Sequence, residues 1–132
     1  SHVIPALILK IFNAKKNNLD QIEVWGDGSP TRDFLFVDDA AKGIVQAAEK
    51  YDEIPPLNLG SSEETSIKKL VSLISDILDY NGKIVWNKSK PNGQPRRCVS
   101  YVLAKEKINF EPKVNLSDGM NQTIEWFLST QK

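Results

Sequence analysis

The sequence predicts an α/β domain with few strands, and three observations carry that prediction. Ile67, Leu70, Val71, Ile74, Ile77 and Leu78 follow the i, i+3, i+4, i+7 spacing of a helix with one apolar face. From Gln21 to Trp25 the apolar residues Ile22 and Val24 alternate with Gln21 and Glu23, the period of a half-buried strand. Strand candidates and helix candidates are interleaved along the chain instead of segregated. Only three or four short strands are available beside about five helices, which is thin for a complete doubly wound sheet.

The first helix spans residues 3 to 16, with Ile4, Leu7, Ile8 and Ile11 at helical spacing and Pro5 in the first turn, where its missing N–H costs nothing. The strand ending at Trp25 runs into Gly26-Asp27-Gly28-Ser29-Pro30, a loop by turn chemistry. Phe34-Leu35-Phe36-Val37 reads as a strand buried on both faces. Asp38 or Asp39 then caps a second helix with the stripe Ala41, Ile44, Val45 and Ala48. Pro55-Pro56 forbids its continuation, Leu57 to Gly60 reads as a short strand, and Ser61 to Glu64 as a polar turn.

Thr65-Ser66 opens the third helix and Asn81-Gly82 stops it. Ile84-Val85-Trp86 is a further strand, followed by a loop from Lys88 to Arg97 whose prolines and glycine preclude regular structure. A short helix runs from Val102 to Ile108, closed by Phe110 and Pro112. Ser117-Asp118 opens a last helix through Leu128, with Met120, Ile124, Phe127 and Leu128 as its buried face.

At 132 residues the chain has the size of one domain with an ordinary core. Lys+Arg 17 balances Asp+Glu 17, so no global field recruits nucleic acid or an anionic membrane, and any anion must be bound locally. No apolar run approaches the roughly 20 residues that span a bilayer. The single cysteine, Cys98, excludes an internal disulfide, fits a reducing cytoplasm, and reads as a packing residue.

Two loops attract attention chemically. Trp25 offers a flat face for a ring or sugar and Arg32 a two-pronged, permanently charged donor for phosphate. Lys88, Lys90, Arg96 and Arg97 concentrate positive charge in a loop without one carboxylate, which in a neutral chain points to an anion site. The plainer alternatives are a core Trp25, an Arg32 paired with Asp33, Asp38 or Asp39, and a solvated basic loop. No GxGxxG or GxxGxxG is present, and the one YxxxK, Tyr101 to Lys105, reads as a chance spacing.

The segment VWGDGSPTRDFLFVDDAAKGIV resembles the extended short-chain dehydrogenase/reductases, the NAD-dependent epimerase/dehydratase family, that act on nucleotide sugars; within that family it is most like the GDP-L-fucose synthases. SHVIPAL, LNLGSSEETSIKKLV, KPNGQPRR and the closing TIEWF match the same group, so the resemblance covers nearly the whole chain. It implies that residues 1–132 are the C-terminal, substrate-binding portion of the family's Rossmann-type fold. The abrupt start at Ser1-His2, directly before a helix, agrees with a portion of a longer protein.

In the intact enzyme the resemblance implies 3,5-epimerisation of GDP-4-keto-6-deoxy-D-mannose and NADPH-dependent reduction at C4. The NADP(H) would be held mainly by an N-terminal half absent here, so that this portion alone is inactive. His2 matches a histidine acting as general acid, a role suited to a group titrating near neutrality. Val3 and Leu7 match apolar pocket positions, and Trp25 and Arg32 match contacts to the nucleotide diphosphate sugar. Lys10 stands where many members have Arg, keeping the charge but losing the fork. Asn92 stands where Asp is frequent, and Arg97 matches a basic position.

The same resemblance implies a cytoplasmic homodimer, with no metal, nucleic acid or membrane partner. Another nucleotide-sugar 4-epimerase or dehydratase, or a non-catalytic sugar-nucleotide-binding module, are the alternative readings. A portion cut from a shared core should also leave apolar surface bare along Phe34 to Val37 and along the helix at 3 to 16.

Overall fold

The computed structural model describes residues 2–131. In chain order the elements are α1 (Val3–Lys16), β1 (Gln21–Trp25), β2 (Thr31–Asp33), α2 (Val37–Lys50), β3 (Glu64–Ser66), α3 (Ile67–Ile77), β4 (Lys83–Asn87), β5 (Arg96–Arg97), α4 (Val102–Ile108) and α5 (Leu116–Ser129). The strands form two small sheets. β1 lies parallel to β4, in register from Gln21 against Lys83 to Trp25 against Asn87. β2 is central in the second sheet, antiparallel to β3 and parallel to β5.

The main core forms where α1, α3 and α5 meet the inner face of β1. Leu7, Ile8 and Ile11 of α1, Ile22 and Val24 of β1, Leu70, Val71 and Ile74 of α3, and Met120 and Ile124 of α5 are buried together. The alternation of β1 therefore does what its period requires, with Ile22 and Val24 inward and Gln21 and Glu23 outward. α3 is opened by the Ser66 hydroxyl, which accepts from the Lys69 N–H at 3.1 Å. A second, smaller core gathers Ala104, Ile108 and Phe110 with Leu35, Ala47, Leu57 and Leu59 around it.

Several expectations are corrected. Phe34 to Val37 is not a strand: β2 ends at Asp33 and α2 begins at Val37. Phe34 packs into the main core, Leu35 into the small one, and Phe36 against Gly119 of α5. The run is apolar because it threads a seam between two cores, and apolar content alone cannot distinguish that from a buried strand. Leu57 to Gly60 is likewise outside any ladder, its leucines packing on the small core while Gly60 sits against Val99. Arg96 and Arg97, expected in a loop, pair with β2 as β5.

The helix ends also differ. Asp38 and Asp39 lie inside the first turn of α2, whose N-cap is Phe36. α3 stops before Asn81-Gly82, at Asp79, which takes φ 51°. There the Tyr80 N–H reaches the Ser75 carbonyl at 2.9 Å and the Asp79 N–H reaches that of Asp76 at 3.1 Å, the double closure that ends many helices. α5 is capped by Asn115, whose side chain accepts from the Asp118 N–H at 2.9 Å, two residues before the expected start at Ser117, and Leu128 is exposed.

The apolar stripe of α1 packs internally on α3 and β1 instead of lying bare. The bare apolar face belongs to α2: Val37, Ile44 and Val45 are 57–68% exposed, and Ala41 and Ala48 beside them are exposed too. α2 turns Asp39 and Gly43 inward instead. A Cβ on Gly43 would lie 2.8 Å from the Phe110 ring and 2.9 Å from Leu59, so this helix approaches the small core only because position 43 lacks a side chain. Gly43→Val is expected to destabilise the chain by about 2 kcal/mol through overpacking, read as a lowered urea midpoint; an unchanged midpoint would show that the contact is slack.

Candidate functional site

The turn after β1 and the basic loop between β4 and β5 are built onto each other. β1 and β4 end side by side, with Trp25 against Asn87, so both chains leave the sheet at the same edge. Gly26 (φ 83°) donates its N–H to the Asn87 carbonyl at 2.9 Å, and Asp27 donates its N–H to Asn92 Oδ1 at 2.8 Å. Further along, Thr31 donates its N–H to the Pro95 carbonyl at 2.9 Å and Arg32 Nη1 reaches the Gln94 carbonyl at 2.9 Å. The ring of Trp25, 61% exposed, carries the Lys90 ammonium 5.5 Å from its centroid.

The second sheet sorts the arginines. Arg32 and Arg97 are register partners on neighbouring parallel strands, so their side chains leave the same face. Among the described residues neither forms an ion pair. Arg96 points the other way, with Thr31, and is bound to the Glu64 carboxylate, its Nε at 2.7 Å; the Thr31 hydroxyl donates to the same carboxylate at 2.9 Å. The local excess of charge thus resolves into one neutralised arginine and two without a carboxylate partner among the described residues, Arg32 being tied through Nη1 to backbone carbonyls.

Arg96, then Thr31, holds the Glu64 carboxyl below its ordinary range, and Glu64 raises Arg96 in return. A carboxylate whose folded pKa is depressed adds stability that is fully present above its unfolded value and lost as pH falls through the folded one. The advantage of the natural chain over Glu64→Gln in thermal unfolding should therefore hold at neutral pH and fade as the buffer is taken below about pH 4.5. An advantage independent of pH would show that the ion pair contributes nothing. The Cys98 thiol is half-buried and pushed up, first by desolvation and then by the Asp33 and Glu64 carboxylates, which disfavours a reactive thiolate.

Of the positions singled out in the sequence, Trp25, Arg32, Asn92 and Arg97 fall on this joined pair of loops. Lys10 reaches β1 from α1, its ammonium donating to the Glu23 carbonyl at 2.9 Å. His2 is exposed at the N-terminus of α1 and makes no side-chain cap. Val3 is half-buried against the main core and Leu7 is within it, 7% exposed. Asp27 was not singled out beforehand, and Lys90 only as one cation of the basic loop. Their part is set by contacts across about 65 residues, which leave no local signal.

The glycines of the turn do not fit a dinucleotide cradle. A Cβ on Gly28 would meet Trp86 at 2.7 Å and Lys68 at 2.9 Å, and one on Gly26 would meet Asn92, so the space beside these backbones is filled by side chains. The YxxxK spacing is structural as well: Lys105 pairs with Glu111 at 3.3 Å and Tyr101 packs edge-on to Phe110. Among the described residues no cluster of three or more His, Cys, Asp or Glu could hold a metal ion, and no helix is long and apolar enough to cross a membrane.

The strand-end loops thus carry an exposed indole and, on the neighbouring sheet, two arginines without ion pairs among the described residues. The model of the NAD dependent epimerase/dehydratase family matches residues 1–60. A putative GDP-L-fucose synthase 2 of Arabidopsis thaliana is 43% identical over 129 residues, which is 97% of this chain and 39% of the relative. The crystal structure of a GDP-L-fucose synthetase from Naegleria fowleri bound to NADP superposes with a TM-score of 0.90 at 29% identity, over 98% of this chain and 41% of that one. A UDP-glucose 4-epimerase with UDP-glucose from Thermotoga maritima gives 0.86 at 28% identity, over 100% and 41%. The chain is similar to the NAD dependent epimerase/dehydratase family over residues 1–60 and, over nearly its whole length, to a portion of these relatives, whose Rossmann-type fold it shares there. Within that family it is similar to the GDP-L-fucose synthases, and it spans about two fifths of the length of the relatives it matches.

Proposed function

We propose that residues 1–132 form the substrate-binding portion of a GDP-L-fucose synthase, holding the nucleotide diphosphate sugar while NADP(H) is bound by a cofactor domain outside this sequence. The observation that carries the reading is the placement of Arg32 and Arg97 on one sheet face without carboxylate partners, next to a loop pair that also presents Trp25 and Lys90. Two guanidinium forks at neighbouring register positions suit the adjacent phosphates of a diphosphate, and the indole suits a sugar or base face. His2, exposed at the head of α1, is free to meet a sugar supplied from the cofactor side and to protonate it during epimerisation.

The bare face of α2 supports a further domain. A neighbouring groove of about 640 Å³, lined by Ile4, Phe34, Phe36, Val37, Leu116 and Trp126, supports it too. Val37 belongs to both, and a partner domain would cover such apolar surface. The relatives' greater length supplies such a domain.

The test is chemical. The full-length enzyme, given GDP-4-keto-6-deoxy-D-mannose and NADPH, is expected to oxidise NADPH and yield GDP-L-fucose, and the 132-residue chain alone to bind GDP without turnover. Unchanged NADPH absorbance in the full-length enzyme rejects the fucose-synthase assignment. The likeness to the Thermotoga epimerase, which extends over the whole chain, favours a 4-epimerase as the second reading; interconversion of a UDP-hexose without net NADPH consumption identifies it.

A further inference from the structure

One side chain ties the basic loop directly to the turn after β1. Asn92 is exposed, yet its Oδ1 is occupied by the Asp27 N–H at 2.8 Å. Gly26, at φ 83°, is shaped to receive it: a Cβ there would come within 2.1 Å of Asn92 Oδ1. The Asp27 carboxylate is turned back onto its own strand of the loop, accepting from the Ser29 N–H at 2.9 Å and the Ser29 hydroxyl at 2.7 Å. It is held below its ordinary range first by those Ser29 bonds and then by the Asn92 amide. Asn92 Oδ1 thus lies against the backbone of a residue that itself carries a carboxylate. An amide oxygen accepts there without adding charge, whereas an acidic side chain in its place would bring a second negative charge to Asp27.

On either side of this contact lie the groups that matter. Lys90, two residues before Asn92, sits over Trp25, and Arg97 follows through the Gln94 and Pro95 contacts to Arg32 and Thr31. We propose that Asn92 is a positioning residue of the anion site, latching the basic loop onto the Gly26-Asp27 turn so that Lys90 and Arg97 are held beside Trp25 and Arg32 before ligand arrives, and that Asp27 makes the latch specific for Asn over Asp. This rests on the reading of the two loops as a diphosphate site. Preorganisation matters because a loop ordered only on binding subtracts its ordering cost from affinity.

The experiment uses the 132-residue chain with GDP as probe. Asn92→Ala and Asn92→Asp are each expected to raise the GDP dissociation constant roughly tenfold with the thermal midpoint within a degree or two of the natural chain. Asp27→Asn combined with Asn92→Asp restores the donor and acceptor pairing and should recover most of the affinity, a rescue that a merely structural contact would not show. Amide exchange without ligand reads the latch directly: the Asp27 N–H should be protected in the natural chain and exposed in Asn92→Ala. If the natural chain binds GDP and both single variants bind within twofold of it, the positioning role is overturned. If the natural chain does not bind GDP, the diphosphate reading fails and the latch is decided by exchange alone, a protected Asp27 N–H that depends on Asn92 upholding it and an unprotected one overturning it.

Discussion

Arg32→Ala is expected to weaken GDP binding by the largest factor of any single change in the chain, on the order of a hundredfold, with Arg97→Ala costing roughly tenfold. The difference follows from burial and from what each group does in the free protein. Arg97 is exposed at the end of β5, where water competes for every hydrogen bond it offers to phosphate. Arg32 is half-buried in the central strand, and its Nη1 already bridges the Thr31 carbonyl at 2.6 Å and the Gln94 carbonyl at 2.9 Å. Removing it deletes a less hydrated cation and loosens the loop that carries Arg97. Arg96→Ala is the internal control, since that guanidinium is spent on Glu64 across the sheet, and its affinity should stay within about threefold. Isothermal titration with GDP at two salt concentrations reads all three. Equal losses for Arg96 and Arg97 would mean that the site senses only net charge, and the paired-arginine geometry would be abandoned.

The largest effect on stability is expected at Asp39. Its carboxylate is 1% exposed, and a single oxygen, Oδ2, accepts from the N–H groups of Lys113 and Val114, each at 2.8 Å. The contact ties the first turn of α2 to the chain just before α5, across more than seventy residues. Asp39→Ala leaves two part-buried donors unsatisfied and is expected to cost about 3 kcal/mol, lowering the thermal midpoint by roughly 10 °C for a chain of this size. Asp39→Asn should cost only about 1 kcal/mol, because an amide oxygen in the same place can accept both N–H bonds. The contrast separates hydrogen bonding from charge: comparable losses for the two variants would show that the negative charge itself is required. Faster amide exchange at Lys113 and Val114 in Asp39→Ala locates the damage.

The periodic elements were legible because their signal is local. α1 and β1 stand where spacing placed them, and so does α3 apart from its C-terminal end, since a side chain's inward or outward turn repeats every 3.6 or 2 residues whatever it packs against. The errors share a cause. Phe34 to Val37 was apolar for a reason that periodicity cannot express, a seam between two cores. The stripe on α2 was read correctly as apolar, but its direction was not legible: the helix turns it to the outside of this portion and buries Asp39 and Gly43 instead. In the two loops, Trp25, Arg32, Lys90 and Arg97 stood out by residue type. The seating of Lys90 over Trp25 and the pairing of Asp27 with Asn92 did not, because a lysine or an asparagine in a polar loop looks the same whether or not a partner waits 65 residues away.

By itself, then, the sequence determined the helices, the amphipathic strand, the family likeness and the presence of unbalanced positive charge in one loop, all of which depend on residue type and short-range spacing. Only the tertiary structure decided which arginine is neutralised and which two stand side by side, because that depends on the register of β2 against β3 and β5. A shift of one residue in that register would exchange the faces and leave Arg97 beside Glu64, with the composition unchanged.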